Sequence, residues 1–346
     1  MKNVEEPAAG PPRAAREDGD RVTVDVVAEG LGVDSAPVVE PAETGFEHAH
    51  PGATWHIGPG VGYVIASAFA FSIMSALVKA AGQRLPSQEV VAARAAVSLT
   101  LSWWMVRRAG VSPWGTHRRL LFVRGFLGYI ALSCVFHSVA TMPLADATVI
   151  QYLYPLFTAV LATVLLGEKP TIRIVGAGLA SLAGIMLVAR PSFLFGAVAT
   201  APRALDVVIA VSGAFFTALA YVGVKRLTEV EHPLVIVFYF PLVTLPATFP
   251  ALLHSAVMPR GWEWLVLVGV GVATQAGQVW LTRGLQFETA TRATALTYMQ
   301  VVFASAWGPI FFAEIPDHRS MLGALLVVSG AFALGITRTP NRKPVE

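Results

Sequence analysis

The stretch PLADATVIQYLYPLFTAVLATVLLGEKP, residues 143–170, carries an apolar run between two proline-bearing turns, and FETATRATALTYMQVVFASAWGPIFFAEIP at 287–316 repeats it. A single shift of 146 residues sets Ala147 on Ala293, Thr148 on Thr294, Tyr152 on Tyr298, Phe157 on Phe303, Glu168 on Glu314 and Pro170 on Pro316. The same shift matches Phe69 with Phe215, Val78 with Val224, Lys79 with Lys225 and Gly184 with Gly330. One offset that serves the first, fourth and fifth apolar runs of each half argues for duplication of a whole unit.

The surrounding composition says what kind of unit it is. Hydrophobic residues fill 55% of 346 positions and charged ones 14%, against about 25% charged in a soluble domain. The apolar residues come in blocks, and a bilayer core about 30 Å thick needs roughly 20 such residues per helix. Blocks with turn-forming punctuation between them place spans near 59–81, 88–106, 119–141, 144–166, 172–190, 206–226, 233–254, 262–284, 290–312 and 319–337. The connections hold Pro86, Pro113, Pro143, Pro170, Pro191, Pro233, Pro259 and Pro316. The expected fold is an all-α membrane protein of ten transmembrane helices arranged as two five-helix repeats, 57–198 and 199–338.

Residues 1–56 differ from the rest. Four basic residues face eleven acidic ones there, a net of −7, which leaves +10 for the remainder of a chain at +3. Rich in Ala, Pro, Gly and Glu, this tail buries too little apolar surface to order itself; it reads as a disordered, acidic cytosolic extension. His48, His50 and His56 are read as incidental rather than as a metal site. A short basic tail at 339–346 closes the chain. With the N-terminus inside, thirteen Lys and Arg flank the spans on the inner side and six on the outer, so both termini are expected in the cytosol. Arginine outnumbers lysine twenty to five, which suits a GC-rich bacterial genome and an inner-membrane location.

Five is odd, so the second half must enter the membrane from the opposite side. Inverted repeats of this kind build secondary transporters, with the substrate site near the midplane between halves. The expectation is therefore alternating access for a small polar or amphipathic metabolite. A passive channel or non-transporting scaffold is the competing use of such a duplication.

The two quoted stretches resemble the paired EamA domains of the drug/metabolite transporter superfamily. LFVRGFLGYIALSCVFHSVATMPLADA, at 121–147, is similar to that family's passage from third to fourth helix. The likeness covers nearly all of 60–338. It implies ten helices and a carrier, for cargo that in the family ranges over amino acids, metabolites, S-adenosylmethionine and nucleotide sugars. One departure stands out: small multidrug-resistance relatives hold a proton-binding carboxylate in the first helix, and here none lies between Gly62 and Lys79.

Helical periodicity gathers polar residues into sectors. Thr148, Gln151, Tyr152, Pro155 and Thr158 share one on the fourth span, and Thr294, Thr297, Tyr298 and Ser305 the matching one on the ninth. Gly271, Thr274, Gln275, Gln278 and Thr282 line up on the eighth; Gly125, Tyr129, Ser133 and His137 do so on the third. Hydroxyls and amides facing lipid would lose their partners, so these faces turn inward. Close packing accounts for Gly and Ala, and Gly176, Ala180 and Gly184 read as a packing stripe. Solute contact is expected at Thr148, Gln151, Tyr152, Thr294, Tyr298, Gln275, Gln278, Tyr129 and His137.

Ionisable groups inside spans are costly and usually functional. Lys79, Arg94, Arg124 and Lys225 are expected to set charge preference, although Arg94 and Arg124 could instead snorkel to the interface. Asp146 and Arg292 are repeat equivalents of opposite charge. Glu168 and Glu314 are expected to gate or pin loops by reaching Lys169 or Arg319, and Pro155 and Pro309 to mark bending points. Phosphate recognition calls for clustered cations; along the sequence they are scattered, and two converging in one cavity would turn the reading toward nucleotide-type or phosphorylated solutes. No H-E-x-x-H, Gly-x-Ser-x-Gly or paired acidic motif suggests an enzyme. No cofactor, metal or nucleic acid is expected; the partners are a small-molecule solute and the bilayer, and the chain a monomer or homodimer.

Overall fold

The computed structural model describes residues 55–195, 203–255, 257–311 and 317–338. Residues 1–54 of the acidic tail, the basic C-terminal stretch, Glu314 and Pro316 lie outside the described residues, whereas Trp55 and His56, expected within the disordered tail, lie in a strand. The strand β1 (Trp55–Ile57) pairs antiparallel with β2 (Ile336–Arg338), a minimal ladder that the all-α expectation did not include. Between them, the described residues form helices and turns. The first half runs α1 (Pro59–Ala81), α2 (Ser87–Arg108), α3 (Arg118–Thr141), α4 (Leu144–Gln151), α5 (Tyr154–Leu166), α6 (Ile172–Ala189) and the single turn α7 (Ser192–Phe195). The second runs α8 (Ala204–Leu227), α9 (Pro233–Ser255), α10 (Gly261–Phe287), α11 (Ala290–Leu296), α12 (Met299–Phe311) and α13 (His318–Gly335).

Among the described residues, eight helical stretches are long and apolar enough to cross a bilayer: α1, α3, α4 with α5, α6, α8, α9, α10 and α13. Two expected spans fall outside that set. One is α2, which carries Glu89, Arg94, Arg107 and Arg108; the other is α11 with α12. Large apolar side chains such as Val160, Val164, Leu265, Leu325 and Phe332 stand exposed on the outside, as a lipid-facing surface requires. At one end of α2, Arg107 and Arg108 lie over Trp103 and Trp104, 4.5 and 5.0 Å from the ring centroids, an arrangement suited to the headgroup level.

The halves interlock instead of packing as separate bundles. α1 packs on α10, and their repeat equivalents α8 and α3 pack on each other. α5 lies on α8 as α12 lies on α1; α2 on α10 as α9 on α3. The pairs α2–α9 and α6–α13 join each helix to its own equivalent. Each of these pairs thus maps onto another or onto itself, as a two-fold axis demands. Small residues permit the approach: a Cβ on Gly271 would come 2.4 Å from Val97, and one on Gly284 2.5 Å from Val64. Between α6 and α13, a Cβ on Gly184 would lie 2.5 Å from the Gly323 carbonyl. The expected stripe is corrected by one step of rotation. Gly176 is exposed with open space around it, and the contact runs through Ala177, Ser181 and Gly184.

Both ends of the bundle are tied across the halves. At one end Glu231 accepts from the main-chain N–H groups of Thr116 and His117, and the Tyr239 phenol donates to the Trp114 carbonyl. At the other, Arg84 pairs with Glu263 and donates to the Met258 carbonyl, Glu89 accepts from Val257 N–H, and Arg190 pairs with Asp317.

Candidate functional site

The helix pairs α4–α5 and α11–α12 are both interrupted where the repeat places equivalent residues, near Tyr152 and Tyr298. Pro155 has no N–H to offer the Gln151 carbonyl, and the N–H groups of Leu156 and Phe157 both turn to Leu153. That leaves the Tyr152 carbonyl for an outside donor, and the Tyr298 phenol fills the place at 2.9 Å. The second break, between α11 and α12, has no proline. There side-chain hydroxyls take helix carbonyls: Thr294 bonds to Ala290 and Thr297 to Thr294. Pro309 is not at a break. It lies inside α12, exposed, with helix on both sides, and the interruption of this segment falls at Thr297–Tyr298.

Four tyrosines gather at this junction. Tyr152 lies 5.9 Å from Tyr298 and 6.3 Å from Tyr154, and Tyr154 lies 5.4 Å from Tyr221, ring centre to ring centre. The Tyr154 and Thr297 hydroxyls bond across the halves. Tyr298 is fully buried, so it acts here as a packed element and not as an open wall.

Arg94, Ala95 and Ser98 of α2, Val237, Phe240, Pro241 and Thr244 of α9, and Thr274, Gln275 and Gln278 of α10 surround a second feature, a cavity between the halves. It is narrow, with about 10 Å³ open to the centre of a water-sized sphere, room for roughly one water molecule. The Arg94 and Arg124 guanidiniums lie 5.9 and 5.2 Å from the centre of the same Phe240 ring. Arg124 is buried and donates from Nη2 to Gln278 Oε1 at 3.3 Å. Two of the cations scattered in sequence, Arg94 and Arg124, thus share one ring, and of the two Arg94 lines the cavity itself.

The expected solute-contacting residues divide. Gln275 and Gln278 reach the cavity, although Gln275 also donates to the Ser102 hydroxyl at 2.8 Å. Tyr152 and Tyr298 meet each other. Gln151 lies apart, donating to Thr217 at 3.2 Å, and Tyr129 donates to the Ala247 carbonyl. Gln151, Gln278 and Tyr298 thus do not converge on one point. Thr148 and Thr294 spend their hydroxyls on carbonyls of their own helices, Leu144 and Ala290. His137 Nε2 lies 2.9 Å from Asp206 Oδ1 near the start of α8, a partner that sequence reasoning missed.

Lys225 donates to the Leu285 carbonyl in the last turn of α10, a position that complements the helix dipole. Neither Lys225 nor Lys79 is among the cavity's lining residues. Glu168 reaches neither Lys169 nor Arg319; it accepts from the N–H groups of Ala290 and Thr291 at 2.6 and 3.1 Å and from the Thr291 hydroxyl. A left-handed Gly167, φ 67°, ends α5 and turns the chain toward that contact. The carboxylate explains itself: it is unfavourable at its own helix C-terminus but caps the N-terminus of α11. The opposite charges of Asp146 and Arg292 follow the same rule. Asp146 accepts from Ser192 N–H at the start of α7, whereas Arg292 donates to the Leu334 and Gly335 carbonyls at the end of α13.

Sequence reasoning also missed Ser98, Phe240, Pro241 and Thr244. The signal for Ser98 was its place one turn from Arg94; α9, with Pro241, Pro246 and Pro250 inside it, held no polar sector to find.

The chain is 32% identical over 280 residues to the pseudopaline exporter CntI of Pseudomonas aeruginosa, covering 81% of this chain and 96% of that protein. It is 30% identical to human solute carrier family 35 member G1, over 81% and 80% of the two chains. The S-adenosylmethionine uptake transporter of Rickettsia felis is 23% identical over 78% of this chain and 90% of its own. A solved crystal structure, 21% identical, superposes with a TM-score of 0.67 over 79% of this chain and 95% of that one, and shows the same fold. These relatives are transporters, not enzymes, and with its apolar helices the chain is an integral membrane protein. The EamA-like transporter family pattern matches residues 58–190 and again 205–336. Matched in both halves, the chain belongs to the EamA-like transporter family.

Proposed function

We propose that the protein is a secondary transporter that moves a small polar or amphipathic metabolite, amino-acid-like in size, by alternating access through the passage between its halves. The carrying observation is the exchange symmetry of the helix pairs: α1 with α10 maps onto α8 with α3, and the Tyr152 and Tyr298 breaks map onto each other. Such symmetry supports ten membrane-crossing segments in two inverted repeats, where one set of contacts serves both access states. The location follows as a bacterial inner membrane with both termini in the cytosol, on the charge of the connections. On that orientation the Glu168 cap closes the cytoplasmic side, and the Arg84–Glu263 and Arg190–Asp317 pairs lie at the outer side.

Counterflow tests the reading. Proteoliposomes loaded with unlabelled metabolites should take up the matching labelled solute faster than empty ones, with saturation. A pore would show uptake without saturation, and a scaffold none; either result removes the carrier.

A second reading, a nucleotide-type or phosphorylated solute, is favoured by one observation: Arg94 and Arg124 converge on Phe240.

A further inference from the structure

Among the described residues, the buried Nε and Nη1 atoms of Arg124 have no hydrogen-bond partner. Arg124 is 3% exposed, its Nη2 meets only the neutral Gln278 amide, and one face of its guanidinium lies over Phe240. Arg94 shares that ring and otherwise reaches only the Met74 sulfur at 3.9 Å. Among the described residues, no carboxylate pairs with either guanidinium. Glu89, Asp146, Asp206, Glu263 and Glu288, the buried acids, are committed elsewhere.

An aromatic face attracts a cation but accepts no directed N–H bond. Burying an unpaired charge is expensive, and two cations beside one ring repel each other in a low-dielectric setting. Beyond the Gln278 amide Arg124 has no acceptor, and Arg94 has no oxygen acceptor, among the described residues.

We infer that the space between Arg94, Arg124, Phe240 and Gln278 is the subsite for the anionic group of the transported solute, and that the solute is a small organic dianion. Its charge matches the two guanidiniums, and its oxygens accept from Arg124 Nε and Nη1, which offer planar, forked donors suited to carboxylate or phosphate. Ser98, Thr244, Thr274 and Gln275 line the cavity together with Arg94, Phe240 and Gln278, and Arg124 touches the last two. In this conformation the cavity has room for about one water, so loading the site requires its walls, α2, α9 and α10, to part. Pro241, on the cavity wall, interrupts the α9 backbone bonding at that level. Two chemical sources fit, a dicarboxylate and a phosphate monoester. The inference rests on the transporter reading, and the following experiment separates the two.

The full chain in lipid nanodiscs is titrated with succinate, glycerol 3-phosphate and their neutral counterparts succinamide and glycerol, with sulfate at matched ionic strength as control. Thermal unfolding is the readout. At least one dianion should raise the midpoint saturably, beyond sulfate, while its neutral counterpart does not. Succinate alone identifies a dicarboxylate site and glycerol 3-phosphate alone a phosphoester site. Arg124→Gln and Arg94→Gln should each weaken that binding by about tenfold or more. Arg124→Met, without solute, should raise the midpoint, because it removes an unpaired buried charge; a fall would mark Arg124 as structural. The inference is overturned if no dianion stabilises beyond sulfate, or if both Gln variants bind within about twofold of wild type. Saturable counterflow of a neutral solute, indifferent to these dianions, would overturn the subsite and leave the carrier standing; no counterflow of any solute would remove the carrier itself.

Discussion

The Tyr298 phenol donates a 2.9 Å hydrogen bond to the main-chain carbonyl of Tyr152, the residue that holds its own place in the first half. A repeat equivalent thus closes the gap left by its twin's broken helix. The bond sits where both discontinuous spans unwind, the element that inverted-repeat carriers use for binding and for movement.

Tyr298→Phe keeps the ring and removes the donor. It leaves the Tyr152 carbonyl without its partner in a buried setting, which costs about 1–2 kcal/mol. Thermal unfolding in detergent should show the loss, with a smaller one for Tyr129→Phe, whose bond is longer, 3.2 Å, and whose side chain is less buried than that of Tyr298. Equal loss in both variants would mean that the junction has no special standing.

The α6–α13 seam discriminates between two glycines of one helix. Gly184→Ala drives a methyl to 2.5 Å from the Gly323 carbonyl, which is backbone and cannot step aside. A destabilisation of about 1–3 kcal/mol is expected. Gly176→Ala meets nothing within 4 Å and should be neutral or stabilising by up to about 1 kcal/mol, from the lower entropy cost of alanine in a helix. Comparison of the two unfolding midpoints checks the register.

Glu168→Gln retains shape and loses charge at the α11 N-terminus. The expected cost is about 1 kcal/mol. Hydrogen exchange should speed up at the Ala290 and Thr291 amides, which Glu168 accepts from, and not at Ile174, capped by Thr171. Unchanged exchange at 290–291 would show that the carboxylate does not hold the two halves there.

At the opposite end, the Ser320 main-chain N–H, then the Ser320 hydroxyl and Arg190, hold the Asp317 carboxyl down from 3.8 to about 2. A depressed carboxyl contributes stability in full above its unfolded value and loses it as pH falls through the folded one. The wild type should therefore exceed Asp317→Asn by a constant margin above about pH 4 and lose that margin on approach to pH 2. Unfolding midpoints of both proteins across that range measure it. A margin that survives at pH 2 would show that the carboxylate charge is not its source.

Part of the site could be read without coordinates. Arg94 and Arg124 stand out because charge inside an apolar run is rare whatever the fold, and Gln275 and Gln278 because amides on one helical face must avoid lipid. Glu168 drew notice as a carboxylate at the wrong end of a helix, but its partner, the α11 N-terminus more than a hundred residues away, carries no charge and leaves no mark in sequence. His137 was visible and Asp206 was not, since their contact joins helices from different halves. Pro309 misled because a proline signals a missing bond but not whether the helix continues past it.

The amino-acid order by itself determined the apolar spans, the duplication and the pairing of equivalent residues, because burial in lipid and helical periodicity act on local sequence. Only the tertiary structure decided which polar groups meet. Gln151 was taken by Thr217, Thr294 by its own helix, and Lys225 by a carbonyl, which left Arg124 beside Phe240 with donors unfilled. Hydrogen bonds are won by whichever partner lies within about 3 Å, and for helices that interlock across two halves that distance is set by packing, not by separation along the chain.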